Sequence, residues 1–323
     1  MLSRRAFLTR AAAVGATAWA RSAPTSVKAA QPATAVRFEM PAGACDCHTH
    51  VFGDPARFPF VPTRVYTPEP ASVDEMRHLH RALHVDRVVI VQPSVYGTDN
   101  ACTIDALRQL GSRARGVAVV DGQTSSAVLD DLQKAGVRGI RINLETAGIS
   151  DPSAAAERLR GAFAIAQPWR WHVQVNTRLP VIEALHGELS RAPVTIVIDH
   201  FGGAQAAAGV AQAGFKALSD LVRSGRAYVK ISGAYRSSTQ APDYADAAPL
   251  AEALIAANPR RVIWGTDWPH PDSAPVTGRA ATDVSPLLQI DDGRVLNQLA
   301  IWAPDAALRR RILVDNPAEL YGF

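Results

Sequence analysis

Short apolar runs of strand length recur along this chain and alternate with longer segments of helical periodicity. The runs that read as buried strands are 44–50, 87–92, 116–120, 137–142, 172–176, 194–200, 227–232 and 261–266. The segments between them predict helices over 72–83, 101–110, 125–135, 152–167, 180–190, 205–224 and 244–257. Because strands that alternate with helices form parallel sheets, the pattern predicts an α/β fold with one parallel sheet.

The number of strand–helix units predicts how this sheet is arranged. Eight units within 323 residues fit a (β/α)8 TIM barrel, for which about 250 residues is typical. An open doubly wound sheet is the alternative, but no Gly-rich phosphate loop follows the first run. We expect the tail segments 283–299 and 304–314 to be helical and to close the barrel.

Three of the predicted strands end at residues suited to catalysis. His48 and His50 lie at the end of the first, His200 ends the sixth, and Asp267 follows the eighth. Alternate residues of a strand share a face, so we expect Asp46, His48 and His50 to point to one side. Since the active site of such a barrel lies at the carboxyl ends of its strands, these side chains should converge.

The residue types suggest hydrolysis. We interpret Asp267 as a general acid/base that takes a proton from water and returns it to the leaving alkoxide. His200 could polarise a carbonyl oxygen as the oxyanion forms. His48 and His50 either hold the carbonyl and the water or bind a divalent metal. The alternatives are a helix-capping Asp267 and structural histidines.

The remaining histidines look less suited to this site. His172 starts its strand and should lie at the opposite end of the barrel, and His270 is a weaker candidate than His200. The others, which lie on or beside predicted helices, are expected to be solvated: His78, His80, His84 and His186.

Several motifs, in their order along the chain, carry a resemblance to a known family. They are Asp46-Cys47-His48-Thr49-His50, Phe58-Pro59 through Tyr66-Thr67-Pro68, Gly136 to Arg141, Asp199-His200-Phe201-Gly202, Lys230-Ile231-Ser232 with Tyr235-Arg236, Gly265-Thr266-Asp267-Trp268-Pro269 and Asn316-Pro317. Over residues 38–323 the chain resembles the amidohydrolase superfamily (amidohydrolase-related, family 2), in particular the 2-pyrone-4,6-dicarboxylate lactonase-like hydrolases. The resemblance implies an amidohydrolase-type barrel that opens a lactone or related cyclic ester by water attack.

The same resemblance implies residues that position the substrate. Tyr66 matches a position that supplies a hydroxyl group, and Arg141 and Arg236 are expected to grip an anion. Asn176 stands where the dicarboxylate enzymes carry Tyr, and Ala147 stands where they place a second basic residue. These departures, together with the nearby acidic Glu145, predict a substrate with at most one strong anion.

The resemblance leaves two states of the site open with respect to metal. Metal-dependent superfamily members usually draw a histidine from the fifth strand and often a carboxylated lysine from the fourth, whereas the pyrone lactonases work without a metal. The resemblance therefore implies that no cofactor is required. His48, His50 and Asp267, completed by His200 or water, could still hold one divalent metal, most suitably zinc. The alternative functions are a metal-dependent decarboxylase and a non-catalytic periplasmic binding protein for a small molecule.

The amino terminus predicts export. Ser3-Arg4-Arg5-Ala6-Phe7-Leu8 is a twin-arginine signature, and the apolar run that follows is too short to span a bilayer. We therefore expect a signal peptide over 1–30, an unstructured linker over 31–37, one barrel domain over 38–323 and a periplasmic location. The alternative is a disordered basic tail on a cytoplasmic enzyme.

Composition narrows the partners. The chain is 47% hydrophobic and 20% charged, which is ordinary for a globular enzyme. Its formal charge of +4 comes from the leader, since residues 31–323 hold 29 basic and 30 acidic residues. This balance argues against a nucleic-acid partner and against membrane insertion of the mature chain, and leaves a small molecule. Cys45, Cys47 and Cys102 are expected to be unpaired and buried.

Overall fold

Eight parallel strands form one sheet in the computed structural model, which describes residues 29–273 and 277–323. In chain order they are β1 Cys45–Thr49, β2 Arg87–Val91, β3 Ala114–Ala118, β4 Val137–Asn143, β5 His172–Asn176, β6 Ile196–Ile198, β7 Ala227–Ser232 and β8 Val262–Gly265. Each strand pairs with its neighbour in the sequence. The sheet closes at β1 and β8, where the amide of Asp267 donates to the carbonyl of His48 over 2.8 Å. The predicted (β/α)8 barrel is confirmed.

Apolar side chains from most of the strands, together with Tyr321 near the carboxyl terminus, fill one of two buried clusters. The members of this cluster are Cys45, Cys47, Val89, Val91, Val117, Val197, Tyr228, Ile263 and Tyr321. The second and larger cluster joins the remaining strand residues to the surrounding helices. All three cysteines are free and buried, as predicted.

Helices cover the outside of the barrel. Those between the strands are Val73–Ala82, Ala101–Leu110, Ser126–Ala135, Pro152–Ala166, Leu179–Ala184, His186–Ser190, Phe215–Arg223, Ala234–Ser237 and Ala248–Ala257. Local sequence sets several of their starts: the side chains of Ser72, Ser125 and Asp151 accept hydrogen bonds from the amides of the first helical turns. Such caps satisfy amides that have no partner inside the helix.

Two predicted elements are shorter or different in the structure. The helix expected over 205–224 begins only at Phe215, because Gly209 and Gly214 have φ of 63° and 80°, outside the helical region. In the tail expected to be helical over 283–299, Val284–Ser285 instead pairs in parallel with Thr67–Pro68. Proline at 286 has no amide hydrogen to continue a helix there.

The end of the chain is helical but divided. Its helices are Asp292–Asn297, Leu299–Trp302, Ala306–Arg310 and Asn316–Tyr321, with a π-helical turn at Arg311–Asp315. Within residues 29–273 and 277–323, no helix combines the length and the apolar character needed to cross a bilayer.

Residues 29–37, which we call the N-terminal strap, lie along the barrel without regular secondary structure. Ala29 and Ala30 are buried, with exposures of 2% and 4%. The indole Nε1 of Trp268 donates to the carbonyl of Ala30 over 3.0 Å, and Thr34 Oγ1 donates to Asp291 over 2.6 Å. Most of the predicted signal peptide lies outside the described residues, and the domain boundaries remain a prediction.

Candidate active site

The four predicted catalytic side chains meet at the carboxyl ends of the strands. Oδ1 of Asp267 lies 3.6 Å from Nε2 of His48, 3.6 Å from Nε2 of His50 and 3.8 Å from Nε2 of His200. All four residues are at least 94% buried. One carboxylate oxygen thus faces three imidazole nitrogens.

The first strand reaches this arrangement by an irregular path. Its pairing with β2 shifts register between Asp46 and Thr49, so simple alternation fails. We had expected Asp46 to point to the same side as His48 and His50, but its carboxylate contacts other residues. Its carboxylate accepts from the amide and hydroxyl of Thr266, at 3.0 and 2.6 Å, and contacts His80 Nε2 at 3.2 Å. Asp46 therefore joins the two closing strands to a helix.

His80 was also expected to be solvated, and this is wrong. It is only 5% exposed because its ring turns inward to Asp46. His270 is fully buried, with Nε2 2.9 Å from Asp292 Oδ2, and contacts Tyr235 edge-on. His172 is buried at the start of β5, as expected.

The second oxygen of Asp267 is fixed by two donors. Tyr235 donates its hydroxyl over 2.6 Å and Arg236 its Nε over 2.5 Å, both to Oδ2. Asp267 itself has φ of 68°, an uncommon value for a residue with a side chain. The backbone and two donors thus hold Oδ1 toward the histidines. The sequence assigned no role to Tyr235.

The pKa values of these groups follow from their burial and charged neighbours. Burial would raise the pKa of Asp267, but Arg236 and the adjacent imidazoles hold it well below its usual range. Burial lowers the pKa of His200 to about 4. Burial, reinforced by Lys230, also holds the pKa of His48 well below its usual value. At neutral pH the site therefore contains an ionised carboxylate and, at positions 48 and 200, neutral imidazoles.

One histidine tautomer is fixed by the backbone. Nδ1 of His50 lies 2.8 Å from the carbonyl oxygen of Val91, which can only accept a hydrogen bond. Nδ1 therefore carries the proton, and Nε2 of neutral His50 faces the site as an acceptor. His50 cannot in that state donate to an oxyanion, the role that His200 and His48 remain able to fill.

A second charged group beneath these residues was missed by sequence reasoning. Asp199 accepts from Arg141 Nε at 3.2 Å and from Gln174 Nε2 at 3.0 Å, while its Oδ1 lies 3.3 Å from His48 Nδ1. Lys230 is fully buried, with Nζ 2.7 Å from Gln174 Oε1. The available signal was a lysine within the apolar strand β7, because buried lysines require partners.

The residues predicted to bind substrate line one pocket with the catalytic group. Tyr66, Arg141, Asn176 and Arg236 all border it. The sequence did not identify the other polar residues of the lining, which are Ser94, Asn143, Thr146 and Ser273. Asn176 Nδ2 donates to Asn143 Oδ1 over 3.0 Å, so the amide at this position is held toward β4.

Three residues used to predict the charge of the substrate are already paired with charged groups of the protein: Glu145, Arg141 and Arg236. Glu145 forms a two-pronged ion pair with Arg178, so its charge is neutralised and the argument drawn from it weakens. Arg141 and Arg236 each spend their Nε on a carboxylate of the site, Asp199 and Asp267 respectively. Their remaining guanidinium nitrogens are not used in those bonds.

The donor set is compatible with a divalent metal. Within the described residues, one nitrogen each of His48 and His200 and one oxygen of Asp267 all lie within 4.8 Å of one another. Among the residues that the structure describes, Nε2 of His48 and Oδ1 of Asp267 are buried and have no hydrogen-bond partner. Two imidazoles and a carboxylate are a common catalytic zinc set. The structure thus brings His200 into the cluster where we had placed His50.

Comparison with known proteins decides the family. The family model described as Amidohydrolase matches residues 45–323. The chain belongs to this family. This amidohydrolase is 37% identical over 305 residues to the 4-sulfomuconolactone hydrolase of Rhizobium radiobacter, with 94% of each chain covered.

Two further relatives agree with that assignment. The amidohydrolase is 36% identical over 294 residues to the 2-pyrone-4,6-dicarboxylate hydrolase of Comamonas testosteroni, covering 88% of this chain and 92% of the relative. A crystal structure of an Agrobacterium tumefaciens protein superposes with a TM-score of 0.74 at 28% identity, covering 90% of this chain and 98% of that one. The resemblance drawn from the sequence motifs is confirmed.

Proposed function

We propose that this amidohydrolase opens the ring of a lactone or related cyclic ester by direct attack of water. The observation that carries the proposal is the convergence of three imidazole Nε2 atoms on Oδ1 of Asp267 beside two arginines in one pocket. Relatives that are 37% and 36% identical over the aligned residues are named as hydrolases of 4-sulfomuconolactone and of 2-pyrone-4,6-dicarboxylate.

The attacking water has a defined place in this proposal. When His50 is neutral, its Nε2 and Oδ1 of Asp267 are both acceptors and lie 3.6 Å apart, so in that state they do not bond to each other. A water molecule has two O–H donors and would satisfy both. Such a water would rest against the carboxylate that removes its proton.

The proposed reaction moves one proton through Asp267. Water attacks the lactone carbonyl carbon as Oδ1 accepts a proton, and the carbonyl oxygen becomes an oxyanion. Collapse of the tetrahedral intermediate breaks the ring C–O bond, and Asp267 returns the proton to the leaving oxygen. The low pKa of Asp267 keeps the base ionised before attack and makes its protonated form a strong acid for the second step.

Donors around the pocket would stabilise the oxyanion. Burial raises the pKa of Tyr66, so its hydroxyl keeps its proton and donates. The guanidinium of Arg141, at the pocket wall, supplies charge in a region of low dielectric. His200 and His48 donate from Nε2 in the tautomer that carries a proton there.

The charge of the centre supports a substrate with one strong anion. Arg141, Lys230 and Arg236 oppose Asp199 and Asp267, while burial keeps His200 and His48 neutral. The buried group therefore has one net positive charge. A single carboxylate or sulfonate would neutralise it, whereas a dianion would leave an unpaired charge in a buried site.

If a metal is bound, His48, His200 and Asp267 would hold it. A zinc ion there would polarise the lactone carbonyl and lower the pKa of a bound water. Tyr66, Arg141 and Arg236 would still position the substrate, and Tyr235 would still orient Asp267.

The test is hydrolysis of a lactone panel by protein stripped with a chelator, before and after zinc is restored. The panel contains 2-pyrone-4,6-dicarboxylate, sulfonated muconolactones and sugar lactones. We expect ring opening, with the highest kcat/KM on substrates with one strong anion. Release of carbon dioxide instead of ring opening would identify a decarboxylase, and tight binding without turnover would identify a binding protein.

We also propose that the protein is exported through its twin-arginine leader. The support is the sequence Ser3-Arg4-Arg5-Ala6-Phe7-Leu8. Replacing both arginines with lysine should retain the protein in the cytoplasm of a bacterial host, as followed by cell fractionation. Equal amounts outside the cytoplasm in both versions would contradict export by this route.

A further inference from the structure

Lys230 is a buried cation that takes no part in the proton transfers of the proposed reaction. It lies on β7 with no exposed surface. Its Nζ is 2.7 Å from Gln174 Oε1, 3.2 Å from His48 Nδ1 and 3.4 Å from Asp199 Oδ1. An ammonium group has three N–H donors and no acceptor, so Lys230 can donate to Gln174 and His48 while it pairs with the charge of Asp199.

Nδ1 of His48 has two competing neighbours. If it carries a lone pair, it accepts a hydrogen bond from Lys230. If it carries the proton, it donates to Asp199, whose Oδ1 lies 3.3 Å away. A neutral imidazole has one N–H, so this choice also decides whether Nε2, which faces Asp267, is a donor or an acceptor.

The geometry favours the hydrogen bond from Lys230 to Nδ1 of His48 over a hydrogen bond from His48 to Asp199. The contact from Lys230 Nζ to His48 Nδ1 has the distance and angles of a hydrogen bond. Within residues 29–273 and 277–323, Oδ1 of Asp199 is buried and accepts no hydrogen bond, although Nδ1 of His48 is only 3.3 Å away. The other oxygen of Asp199 already accepts from Arg141 and Gln174.

We propose that Lys230 fixes the His48 tautomer that carries its proton on Nε2, so that His48 presents a hydrogen-bond donor on the side of Asp267 and binds a divalent metal poorly. Lys230 is thus a positioning residue that acts through His48. The inference rests on the proposed function only where the Nε2 proton is assigned to the lactone carbonyl oxygen.

The reason for weak metal binding is geometric and electrostatic. A metal needs the lone pair of His48 Nε2, which requires the proton to lie on Nδ1. Nδ1 would then present N–H to the ammonium of Lys230, which has no lone pair to accept it. Metal-bound histidines usually donate their second N–H to a carboxylate or carbonyl, which is the contact that Asp199 would supply if Lys230 were absent.

The experiment uses two readouts that need no substrate. Correlation of imidazole 15N and 1H signals reports which nitrogen of His48 is protonated, with the signal assigned by its loss in His48→Gln. Zinc affinity is measured by competition with a chromophoric chelator for wild type, Lys230→Met and the surface control Lys216→Met. We expect Nε2–H in the wild type, Nδ1–H in Lys230→Met, and about tenfold or greater tightening of zinc binding in that variant alone.

Contrary results would overturn the inference. Nδ1–H in the wild-type protein would do so without any variant, which keeps the test decisive if Lys230→Met does not fold. Zinc affinity that is unchanged or weaker in Lys230→Met, or equally tighter in Lys216→Met, would also do so. Failure of every lactone in the panel, with the expected tautomer and zinc shift observed, would overturn the proposed function and leave this inference standing.

Discussion

Nε2 of His50 and Oδ1 of Asp267 face each other at 3.6 Å, and when the imidazole is neutral both are hydrogen-bond acceptors. The backbone carbonyl of Val91 fixes the tautomer of His50, and Tyr235 with Arg236 fixes the other carboxylate oxygen. Neither acceptor can satisfy the other, so the pair selects a neighbour that brings hydrogens or positive charge. This relationship supports the proposed role of Asp267 in activating water.

Asp267→Asn should abolish most of the turnover. An asparagine has nearly the same shape and can keep an oxygen toward Tyr235 and Arg236, but it cannot accept a proton from water. We expect kcat to fall by about 10²- to 10⁴-fold, the usual contribution of a general base. Single-turnover hydrolysis of the best lactone measures this. The exposed control Asp131→Asn should behave as wild type, and wild-type activity in Asp267→Asn would refute the assignment.

The pH dependence of kcat/KM should have an unusually low acidic limb. Burial lowers the pKa of His200 to about 4, so the neutral form persists until the pH approaches that value. Asp267 also stays ionised, because its pKa is held well below the usual range. We expect the protonation of His200 to give a decline in kcat/KM with a midpoint near pH 4, measured by brief pH jumps. The absence of a decline near pH 4 would contradict this view of the site.

His172 should make the protein less stable in acid. Its ring nitrogens are buried without partners in the described structure, and burial lowers its pKa to about 3. The unfolded chain therefore binds a proton below about pH 6.5 that the folded chain does not bind until about pH 3. The free energy of unfolding should fall as the pH drops through this window, by roughly 2 kcal/mol at pH 5 from this residue.

Urea unfolding at pH 7 and pH 5 checks this contribution. His172→Leu, which removes the titrating ring, should lose less stability between the two pH values than wild type. The exposed His78→Leu should lose as much as wild type. An identical pH dependence in His172→Leu and wild type would show that this imidazole is not the source.

The N-terminal strap should belong to the mature enzyme, so we expect the leader to be cleaved before Ala29 and not after residue 30, the boundary expected from the sequence. Its contact with Trp268, the residue after Asp267, connects it to the catalytic loop. A Cβ at Gly293 would lie 1.8 Å from the carbonyl oxygen of Thr34, so Gly293→Ala should displace the strap. We expect a lower melting temperature and faster proteolysis within residues 29–37.

The matched control for the strap is Gly161→Ala. Gly161 lies in the helix Pro152–Ala166 and has open space where a Cβ would be added. Alanine favours helices over glycine by about 1 kcal/mol, so this variant should be at least as stable as wild type. Unchanged proteolysis and melting in Gly293→Ala would show that the strap contributes nothing to the fold.

The barrel fold and the location of its active site can be predicted from local patterns in the sequence. Apolar runs such as 137–142 and 172–176 alternate with helical segments, and that periodicity depends only on local burial. Parallel strands of a barrel place their carboxyl ends at one face. The positions of His50, His200 and Asp267 at strand ends therefore predict that these residues share one pocket. Motifs then linked that pocket to the amidohydrolases.

The pairing of the charged groups in the site depends on contacts made in the folded chain. Where β1 closes on β8, the carboxylate of Asp46 accepts hydrogen bonds from the amides of Thr266 and His48. Lys230 meets His48 across 182 positions of sequence. Such contacts depend on strand register and barrel closure, which local hydrophobic patterns do not encode. The residues of the site could be predicted from the sequence. Because register and closure are not encoded locally, the tautomers and ion pairs that set their chemistry could not.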